Sequence, residues 1–322
     1  MNSKPILLVA GEPNSIFLEI FFKIFKTKKF KSPLILIASL DLLNLQMKKL
    51  KFKSKIRILN ETKIKRYKLD NKSINIININ YNQKKPFQKI SRKSNKYIEN
   101  CFKVALNIIN KNITNKLING PISKKYFLGK KYLGVTEYLA KKTYKKKYAM
   151  LIFNKKLSVC PITTHLPINQ ISKKLNGPLI KEKIILINNF YEKFFRFKPK
   201  IAVTGLNPHC ESIKNFNEDE KIVKPAIKYL KNHGFKTFGP YAADTIFLKK
   251  NRSKYDVIVG MYHDQVLTPM KTIFEYDAIN ITLGLPFIRI SPDHGPNQNM
   301  LGKNLSNSQS LFQAINFLEK IK

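Results

Sequence analysis

Short, uninterrupted runs of apolar residues alternate along the chain with longer stretches in which apolar residues recur every three or four positions. Apolar runs without polar alternation are typical of strands buried on both faces of a parallel sheet. The predicted strands are Pro5–Ala10, Pro33–Ser39, Ile74–Ile79, Lys116–Asn119, Ala149–Phe153, Leu157–Thr163, Lys200–Gly205, Asp256–Met261 and Ala278–Thr282.

The longer periodic stretches predict helices between these strands. They are Lys96–Asn110, Leu179–Phe195, Glu218–Asn232 and Ser306–Ile321. The third begins with acidic residues and ends before Gly234, as the helix dipole and a glycine C-cap favour. In the last, Ser306 and Gln309 have the spacing of a capping box. Strands alternating with helices predict an α/β fold built from βαβ units.

Length and composition indicate a folded protein. The chain has 322 residues, of which 43% are hydrophobic, so it is long enough for two domains or one large α/β domain. It has no apolar run long enough for a membrane span and no export signal at its start. Cys101, Cys160 and Cys210 lie far apart, which is typical of buried thiols in a reducing compartment. We therefore expect a cytoplasmic protein without a membrane partner.

The formal net charge of +40 raises the question of nucleic-acid binding. Only six of the 60 basic residues are arginine, and the lysines are spread over the whole chain together with many Asn and Ile. All three residue types have A/T-rich codons, so genome composition explains the excess. Sequence-specific readers of nucleic acids concentrate Arg and aromatic side chains in one patch. We expect no specific nucleic-acid partner.

Three of the five histidines share one context. His165, His209 and His263 each end or closely follow a predicted apolar strand. The carboxyl ends of parallel strands lie along one edge of a sheet, where α/β proteins bind ligands. Three imidazoles at that edge suit a divalent transition metal with open coordination positions. The alternative is three unrelated histidines in loops, and the matching contexts favour the metal site.

Several other polar residues have two interpretations each. Asp244, in a tight loop before the His263 strand, either orients a ligand or caps a short helix, and Asp264 either supports His263 or is an N-cap. Arg289 is either a fork for a phosphate or carboxylate or part of a surface salt bridge. The polar loop Asp293–Gly302 can hold a nucleotide through its backbone. Neither GxGxxG nor GxxxxGK[ST] occurs in the chain.

Taken together, the motifs resemble one family from the first predicted strand to the last helix. In chain order they are Gly11-Glu-Pro with Glu19, Asn119–Lys124, Gly134–Ala140, Thr164–Pro167, Gly205–His209, Gly239–Phe247, Met261–Gln265, Asn280–Arg289 and Asp293–Gly295. This combination resembles the 4-hydroxythreonine-4-phosphate dehydrogenases of vitamin B6 biosynthesis.

The resemblance implies a two-domain fold similar to the isocitrate and isopropylmalate dehydrogenases, with mostly parallel sheets and an interdomain cleft. The first, nucleotide-side domain would comprise residues 1–130 and 275–322, and the second, metal- and dimer-side domain residues 131–274. It also implies a homodimer in which His165, His209 and His263 bind one divalent cation (zinc, magnesium or cobalt), one of the three coming from the neighbouring subunit.

The resemblance further implies the site residues. Thr136, Lys271, Asn280 and Arg289 would bind the phosphorylated substrate, and Lys271 and Asp244 would be the catalytic side chains. The segment with His294, Gly295 and Gly302 would hold NAD or NADP.

The implied reaction oxidises 4-phosphooxy-L-threonine to 2-amino-3-oxo-4-phosphooxybutanoate, which loses CO2 to give 3-amino-2-oxopropyl phosphate. The chain departs from the family pattern at Val135, where the family has His before the threonine, at Ser15 and Phe17, where it has glycines, and in the nucleotide loop at 296–299. A same-fold dehydrogenase of another phosphorylated hydroxy acid, such as a four-carbon sugar acid phosphate, and a catalytically degenerate homologue are the alternatives.

Overall fold

The computed structural model describes residues 3–129, 132–211, 217–292 and 295–321. The chain forms two compact units. Unit 1 comprises Met1–Val135 and Pro286–Lys322, and unit 2 comprises Thr136–Leu285. The chain thus leaves unit 1, builds unit 2 and returns to unit 1. The predicted domain boundaries at 130/131 and 274/275 stay a prediction.

Strands and helices alternate through most of both units. The strands are β1 (Ile6–Val9), β2 (Leu34–Ala38), β3 (Ile56–Ile58), β4 (Ile74–Asn78), β5 (Lys116–Asn119), β6 (Ala149–Phe153), β7 (Ser158–Thr163), β8 (Ile201–Thr204), β9 (Thr237–Tyr241), β10 (Val257–Tyr262), β11 (Ile279–Leu283) and β12 (Ile288–Pro292). The α-helices are α1 (Phe17–Thr27), α2 (Leu40–Lys49), α3 (Asn95–Asn110), α4 (Val135–Lys142), α5 (Ile168–Lys174), α6 (Gly177–Phe195), α7 (Lys224–Asn232), α8 (Ala243–Ile246), α9 (Lys249–Arg252), α10 (His263–Phe274) and α11 (Gln309–Lys320). Short 3-10 turns at Ile64–Arg66, Arg92–Ser94, Pro208–Cys210 and Gln298–Met300 and π-helical turns at Lys124–Leu128 and Asp219–Val223 complete the described elements.

Unit 1 contains a parallel sheet in the order β3-β4-β2-β1-β5-β12. β1 and β2 are buried along their whole length, as their continuous apolar sequences predict, and β5 is buried as well although it begins with Lys116 and ends with Asn119. On α3, the apolar face formed by Ile98, Phe102, Ala105 and Ile109 is buried. The stretch between residues 48 and 96 contributes the short edge strand β3 and the mostly buried strand β4 beside it.

Unit 2 contains strands in the order β11-β6-β7-β10-β8-β9. The four strands β7, β10, β8 and β9 are parallel, and β6 is antiparallel to both β7 and β11. The core between this sheet and its helices includes Val159, Ala202, Ile258, Val266 and Met270. The predicted α/β class with mostly parallel strands is confirmed.

Each predicted strand overlaps an observed one, and the four predicted helices correspond to α3, α6, α7 and α11. The third helix differs at its start, because Asp219–Val223 forms a π-helical turn before α7. The predicted capping box of the last helix is wrong. The side chain of Asn307 accepts the backbone N–H of Gln309 at 2.8 Å, whereas Ser306 donates its own N–H to Glu19. Within the described ranges, no helix has the length and apolar character that spanning a bilayer requires.

Candidate functional site

The three histidines follow three neighbouring parallel strands of unit 2. β10 lies between β7 and β8 and pairs with both, with Tyr262 opposite Thr163. His165 lies two residues beyond β7, His263 begins α10 directly after β10, and His209 lies in the turn after β8. The predicted placement of these strand ends along one edge of a parallel sheet is therefore confirmed, and metal binding by the three imidazoles stays a prediction.

Two of the three imidazoles come together. The ring centroids of His165 and His263 are 5.5 Å apart, with the rings inclined by 38°. Nδ1 of His263 lies 2.6 Å from a carboxylate oxygen of Asp264, so this neighbour is a partner of the histidine. A carboxylate on one ring nitrogen orients the imidazole and leaves the other nitrogen to act as a ligand. The pair His165–His263 therefore has the donor chemistry and the spacing of two ligands of one cation.

The third imidazole does not complete this pair within one chain. His209 is exposed, in the turn Pro208–Cys210. In the part of the chain that the structure describes, no three His, Cys, Asp or Glu side chains lie together so as to hold a metal ion. The single chain thus brings two predicted ligands together and leaves the third apart.

The backbone at two of the histidines is left-handed. The φ angle is +50° at His165 and +55° at His209. Residues with a side chain seldom adopt this region, and such conformations are concentrated at binding and catalytic sites. The turns after β7 and β8 thus have a local geometry that the apolar pattern of the strands did not predict.

Three of the four predicted substrate residues belong to unit 2. Thr136 is buried at the start of α4, with its hydroxyl 3.1 Å from that of Thr282 on β11. Asn280 lies on the same strand, and its buried side-chain oxygen has no hydrogen-bond partner among the described residues. Lys271 is half-buried on α10, the helix that begins at His263. A buried amide oxygen without a partner is a ready acceptor for a ligand donor.

The fourth predicted substrate residue, Arg289, lies on β12 in unit 1. It is only 2% exposed, so the alternative of a surface salt bridge is wrong. Its Nε donates a hydrogen bond of 2.6 Å to the side-chain oxygen of Asn119 at the end of β5. A guanidinium keeps its positive charge when buried, and its planar set of donors suits an anionic ligand.

The remaining predicted residues have less defined surroundings. Asp244 is exposed and lies within the first turn of the four-residue helix α8, whose N-cap is Ala242, so the N-cap interpretation is wrong. His294 lies outside the described residues. Gly295 is exposed. Gly302 has φ of +71°, and a Cβ there would lie 3.1 Å from the Phe87 ring, so this position of the predicted nucleotide loop favours glycine.

Glu12 and Glu137 are carboxylates that the sequence did not single out as candidates. Glu12, directly after the turn that ends β1, is 1% exposed and accepts hydrogen bonds from the Asn14 backbone and the Ser94 hydroxyl. Burial raises its pKa above the ordinary value, although both hydrogen bonds act in the opposite direction. The Gly11-Glu-Pro motif was the available signal, but sequence alone does not distinguish a buried carboxylate from an exposed turn residue.

Glu137 is the second missed carboxylate and belongs to the same region as His165. Its Oε1 accepts a hydrogen bond from the hydroxyl of Thr164, the residue before His165, at 3.3 Å. Its Oε2 is buried and has no hydrogen-bond partner among the residues described. The pKa of Tyr148 is raised by burial and by the negative charges of Glu137 and Glu182. The charge of Glu137 is therefore felt by a neighbouring side chain.

The chain is similar to a defined set of known proteins. A family model described as "Pyridoxal phosphate biosynthetic protein PdxA" matches residues 29–318. A 4-hydroxythreonine-4-phosphate dehydrogenase of Sulfurihydrogenibium sp. is 43% identical over 68% of this chain and 67% of its own length. A D-threonate 4-phosphate dehydrogenase of Salmonella typhimurium is 30% identical over 98% of both chains. In three further curated relatives of 38% identity, the match spans only 62–65% of the relative.

Solved structures give the same result for the fold. A crystal structure of 4-hydroxythreonine-4-phosphate dehydrogenase from Klebsiella pneumoniae has a TM-score of 0.84 at 28% identity and covers 99% of both chains. Isocitrate dehydrogenase from Methylococcus capsulatus has a TM-score of 0.50 at 11% identity, with 97% of this chain and 84% of that chain covered. The predicted likeness to the isocitrate dehydrogenase fold is confirmed.

Proposed function

The chain belongs to the PdxA family of pyridoxal phosphate biosynthetic proteins, and from this membership we propose that it oxidises 4-phosphooxy-L-threonine with NAD. The curated relatives are dehydrogenases by name, and the chain is an enzyme of that type, an oxidoreductase. The proposed product is 2-amino-3-oxo-4-phosphooxybutanoate, which then loses CO2 to give 3-amino-2-oxopropyl phosphate. The observation that carries the proposal is the pair of imidazoles, His165 and His263, at adjacent strand ends.

The proposed cation would be held by His165 and His263 of one chain and His209 of a second copy in a homodimer. When bound, the cation supplies Lewis acidity to the substrate hydroxyl and keto group, and NAD or NADP accepts the hydride. Asp264 holds the His263 ring through Nδ1, which directs Nε2 away from the carboxylate. This orientation limits the freedom that the ring would lose on binding the cation.

The substrate would be held by Arg289, Asn280 and Thr136. The buried Arg289 provides a planar fork for the phosphate or the carboxylate. Asn280 offers its buried side-chain oxygen to a donor on the substrate. Such fixed contacts align the reacting carbon with the nicotinamide, and hydride transfer needs this alignment. We assign Lys271 to proton transfer and Asp244 to substrate orientation, and residues 294, 295 and 302 to the nucleotide.

D-threonate 4-phosphate is the alternative substrate, because a relative with that activity in its name matches nearly the whole chain. It carries a hydroxyl at C2, where 4-phosphooxy-L-threonine carries an ammonium. Glu137, which is hydrogen-bonded to Thr164 beside His165, supports the amino substrate. Its buried Oε2 has no hydrogen-bond partner among the described residues. An ammonium group would supply both a donor and a compensating charge.

Purified protein assayed for NADH formation with both substrates tests the proposal. We expect turnover of 4-phosphooxy-L-threonine that a chelator abolishes and Co2+ or Zn2+ restores. Turnover of D-threonate 4-phosphate alone would replace the proposed substrate by the alternative. Absence of turnover with either substrate, in protein that binds metal and is folded, would identify a catalytically degenerate homologue.

The Glu137→Gln variant tests the role of the carboxylate. It keeps the size of the side chain and removes the charge, so we expect KM for 4-phosphooxy-L-threonine to rise and the thermal stability to change little. An unchanged KM would remove the argument for the amino substrate.

A further inference from the structure

The turn that carries His209 is held by a buried carboxylate. Asp219, with none of its surface exposed, accepts three hydrogen bonds from this turn. Oδ1 accepts the backbone N–H of Leu206 at 2.6 Å, and Oδ2 accepts the backbone N–H and the side-chain amide of Asn207 at 3.0 and 3.1 Å. Both carboxylate oxygens are therefore used, and the backbone two residues before His209 is fixed.

The turn also packs directly on this carboxylate. A Cβ at Gly205 would lie 2.7 Å from the sulfur of Cys210 and 3.0 Å from Oδ1 of Asp219. Only a residue without a side chain leaves room for both contacts. The position of the turn therefore depends both on the carboxylate of Asp219 and on the absence of a side chain at Gly205.

Gln265 fixes the same turn from the side of the His263 helix. Its Nε2 donates to the Gly205 carbonyl at 2.8 Å, and its Oε1 accepts from the Met261 backbone at 2.7 Å and from the Thr204 hydroxyl at 2.9 Å. Gln265 lies two residues after His263 on α10. One side chain thus joins the start of the His263 helix to the turn of His209.

We propose that Asp219 is a positioning residue that holds the turn 205–209, and with it the imidazole of His209, in metal-binding geometry. The inference rests on the proposed function, because it assigns His209 to the cation. A carboxylate is required since all three partners of Asp219 are N–H donors. An asparagine of the same shape would place its own NH2 against one of these donors in either orientation. The turn would then lose a backbone contact and His209 its fixed position.

A purely structural role for Asp219 is the competing explanation, since the residue also begins the π-helical turn and its backbone N–H donates to the side-chain oxygen of Asn217. A structural role lowers stability without changing the coordination of the cation. Asp256 provides the matched control. Its carboxylate accepts the backbone N–H of Lys200 at 2.7 Å, just before β8 and β10, at the opposite end of the strands from the histidines.

The experiment compares Co2+ binding to the full-length wild type, Asp219→Asn and Asp256→Asn by equilibrium dialysis and by the visible absorption of bound Co2+, together with thermal melting. We expect the Co2+ affinity of Asp219→Asn to fall by about tenfold or more and its absorption to change. Asp256→Asn should lose stability and keep both the affinity and the spectrum. Wild-type affinity and spectrum in Asp219→Asn would overturn the inference.

Two further variants keep the result unambiguous. If Asp219→Asn does not fold, Gly205→Ala tests the same contact, because the added Cβ would press on Cys210 and on the Asp219 carboxylate and displace the turn. Weakened Co2+ binding in Gly205→Ala then supports the inference, and wild-type binding overturns it. His209→Ala tests the premise separately. Wild-type Co2+ affinity in that variant would refute the ligand assignment in the proposed function, whatever the result with Asp219.

Discussion

His165 and His263 follow adjacent parallel strands, and their ring centroids are 5.5 Å apart. Both rings of this pair belong to one chain. His209 of the same chain lies in an exposed turn and does not join the pair. If the cation is shared between subunits, each site takes the pair from one chain and His209 from the other. This division of the ligands leads to an experiment with mixed subunits.

Mixing two inactive variants should restore activity. His165→Ala and His209→Ala are each expected to be inactive, because every site of either homodimer lacks a ligand. In a mixed dimer, one site carries both substitutions and the other carries neither. Random exchange of subunits should therefore restore about a quarter of the wild-type sites.

The exposed His233, which contacts Tyr229 and lies outside the predicted ligand set, provides the control for the loss of a histidine. His233→Ala should be fully active. The measurements are NADH formation and bound Co2+ after subunit exchange. A mixture that stays inactive although mixed dimers are present would contradict a site shared between subunits.

Replacing Arg289 by lysine should weaken substrate binding. The variant keeps the positive charge but loses the planar fork and the Nε contact with Asn119. Hydrogen bonds to charged groups contribute about 1.5–3 kcal/mol, so we expect kcat/KM to fall by about tenfold or more. The half-buried Arg57, which donates to the Lys68 carbonyl, is the position for a control Arg57→Lys variant with unchanged kinetics. Unchanged kinetics in Arg289→Lys would show that no substrate anion binds there.

The buried Glu12 should make stability depend on pH. Burial raises its pKa above 4.5, so the folded state binds the proton more tightly than the unfolded state. The contribution of Glu12 to stability is then complete below its unfolded pKa and is lost as the pH rises through the folded pKa. We expect the unfolding free energy of the wild type, relative to Glu12→Gln, to fall with rising pH over this range and then to level off. Denaturant titrations at several pH values measure the difference.

A control for Glu12→Gln is Glu99→Gln, which removes one negative charge from the surface. The difference in unfolding free energy between the wild type and Glu12→Gln should change with pH more steeply than the difference between the wild type and Glu99→Gln. A difference that stays constant from acid to neutral pH would contradict the effect of burial on Glu12.

The thiols should react only when the protein opens. Cys101, Cys160 and Cys210 are free and buried, and burial raises the pKa of Cys101 and of Cys160 to about 12. The thiolate is the reactive form, so at neutral pH the folded protein should react slowly with a disulfide reagent such as Ellman's. In denaturant all three should react at once. Rapid reaction of Cys101 in folded protein would contradict its burial.

The pattern of apolar runs was sufficient for most of the sheet, and the three strands that it missed have identifiable reasons. β3 has only three residues. β9 contains Gly239 and Pro240, which are read as a turn, and it pairs only with β8 among the described strands. Proline is tolerated on such an edge. β12 contains the buried Arg289, which donates a hydrogen bond to Asn119, a residue distant in the sequence.

For the site, the sequence was informative about strand ends and uninformative about distances. The matching contexts of His165, His209 and His263 followed from the parallel sheet, because an apolar run predicts where a strand ends. The meeting of His165 and His263 and the separation of His209 depend on turns whose backbone angles no apolar pattern encodes. The role of Asp219 was also not predictable, since it depends on three N–H groups that only the folded turn directs to one point.

The left-handed backbone at His165 and His209 has a consequence for how this protein changes over generations. Such a conformation costs about 1–3 kcal/mol for a residue with a side chain and almost nothing for glycine. Glycine at either position should therefore give a more heat-resistant protein that has lost an imidazole. Under selection for thermal stability alone, both histidines should therefore be replaced, whereas the proposed role in metal binding would maintain them. In laboratory evolution that selects for thermal stability and not for activity, substitutions of His165 and His209 should appear early.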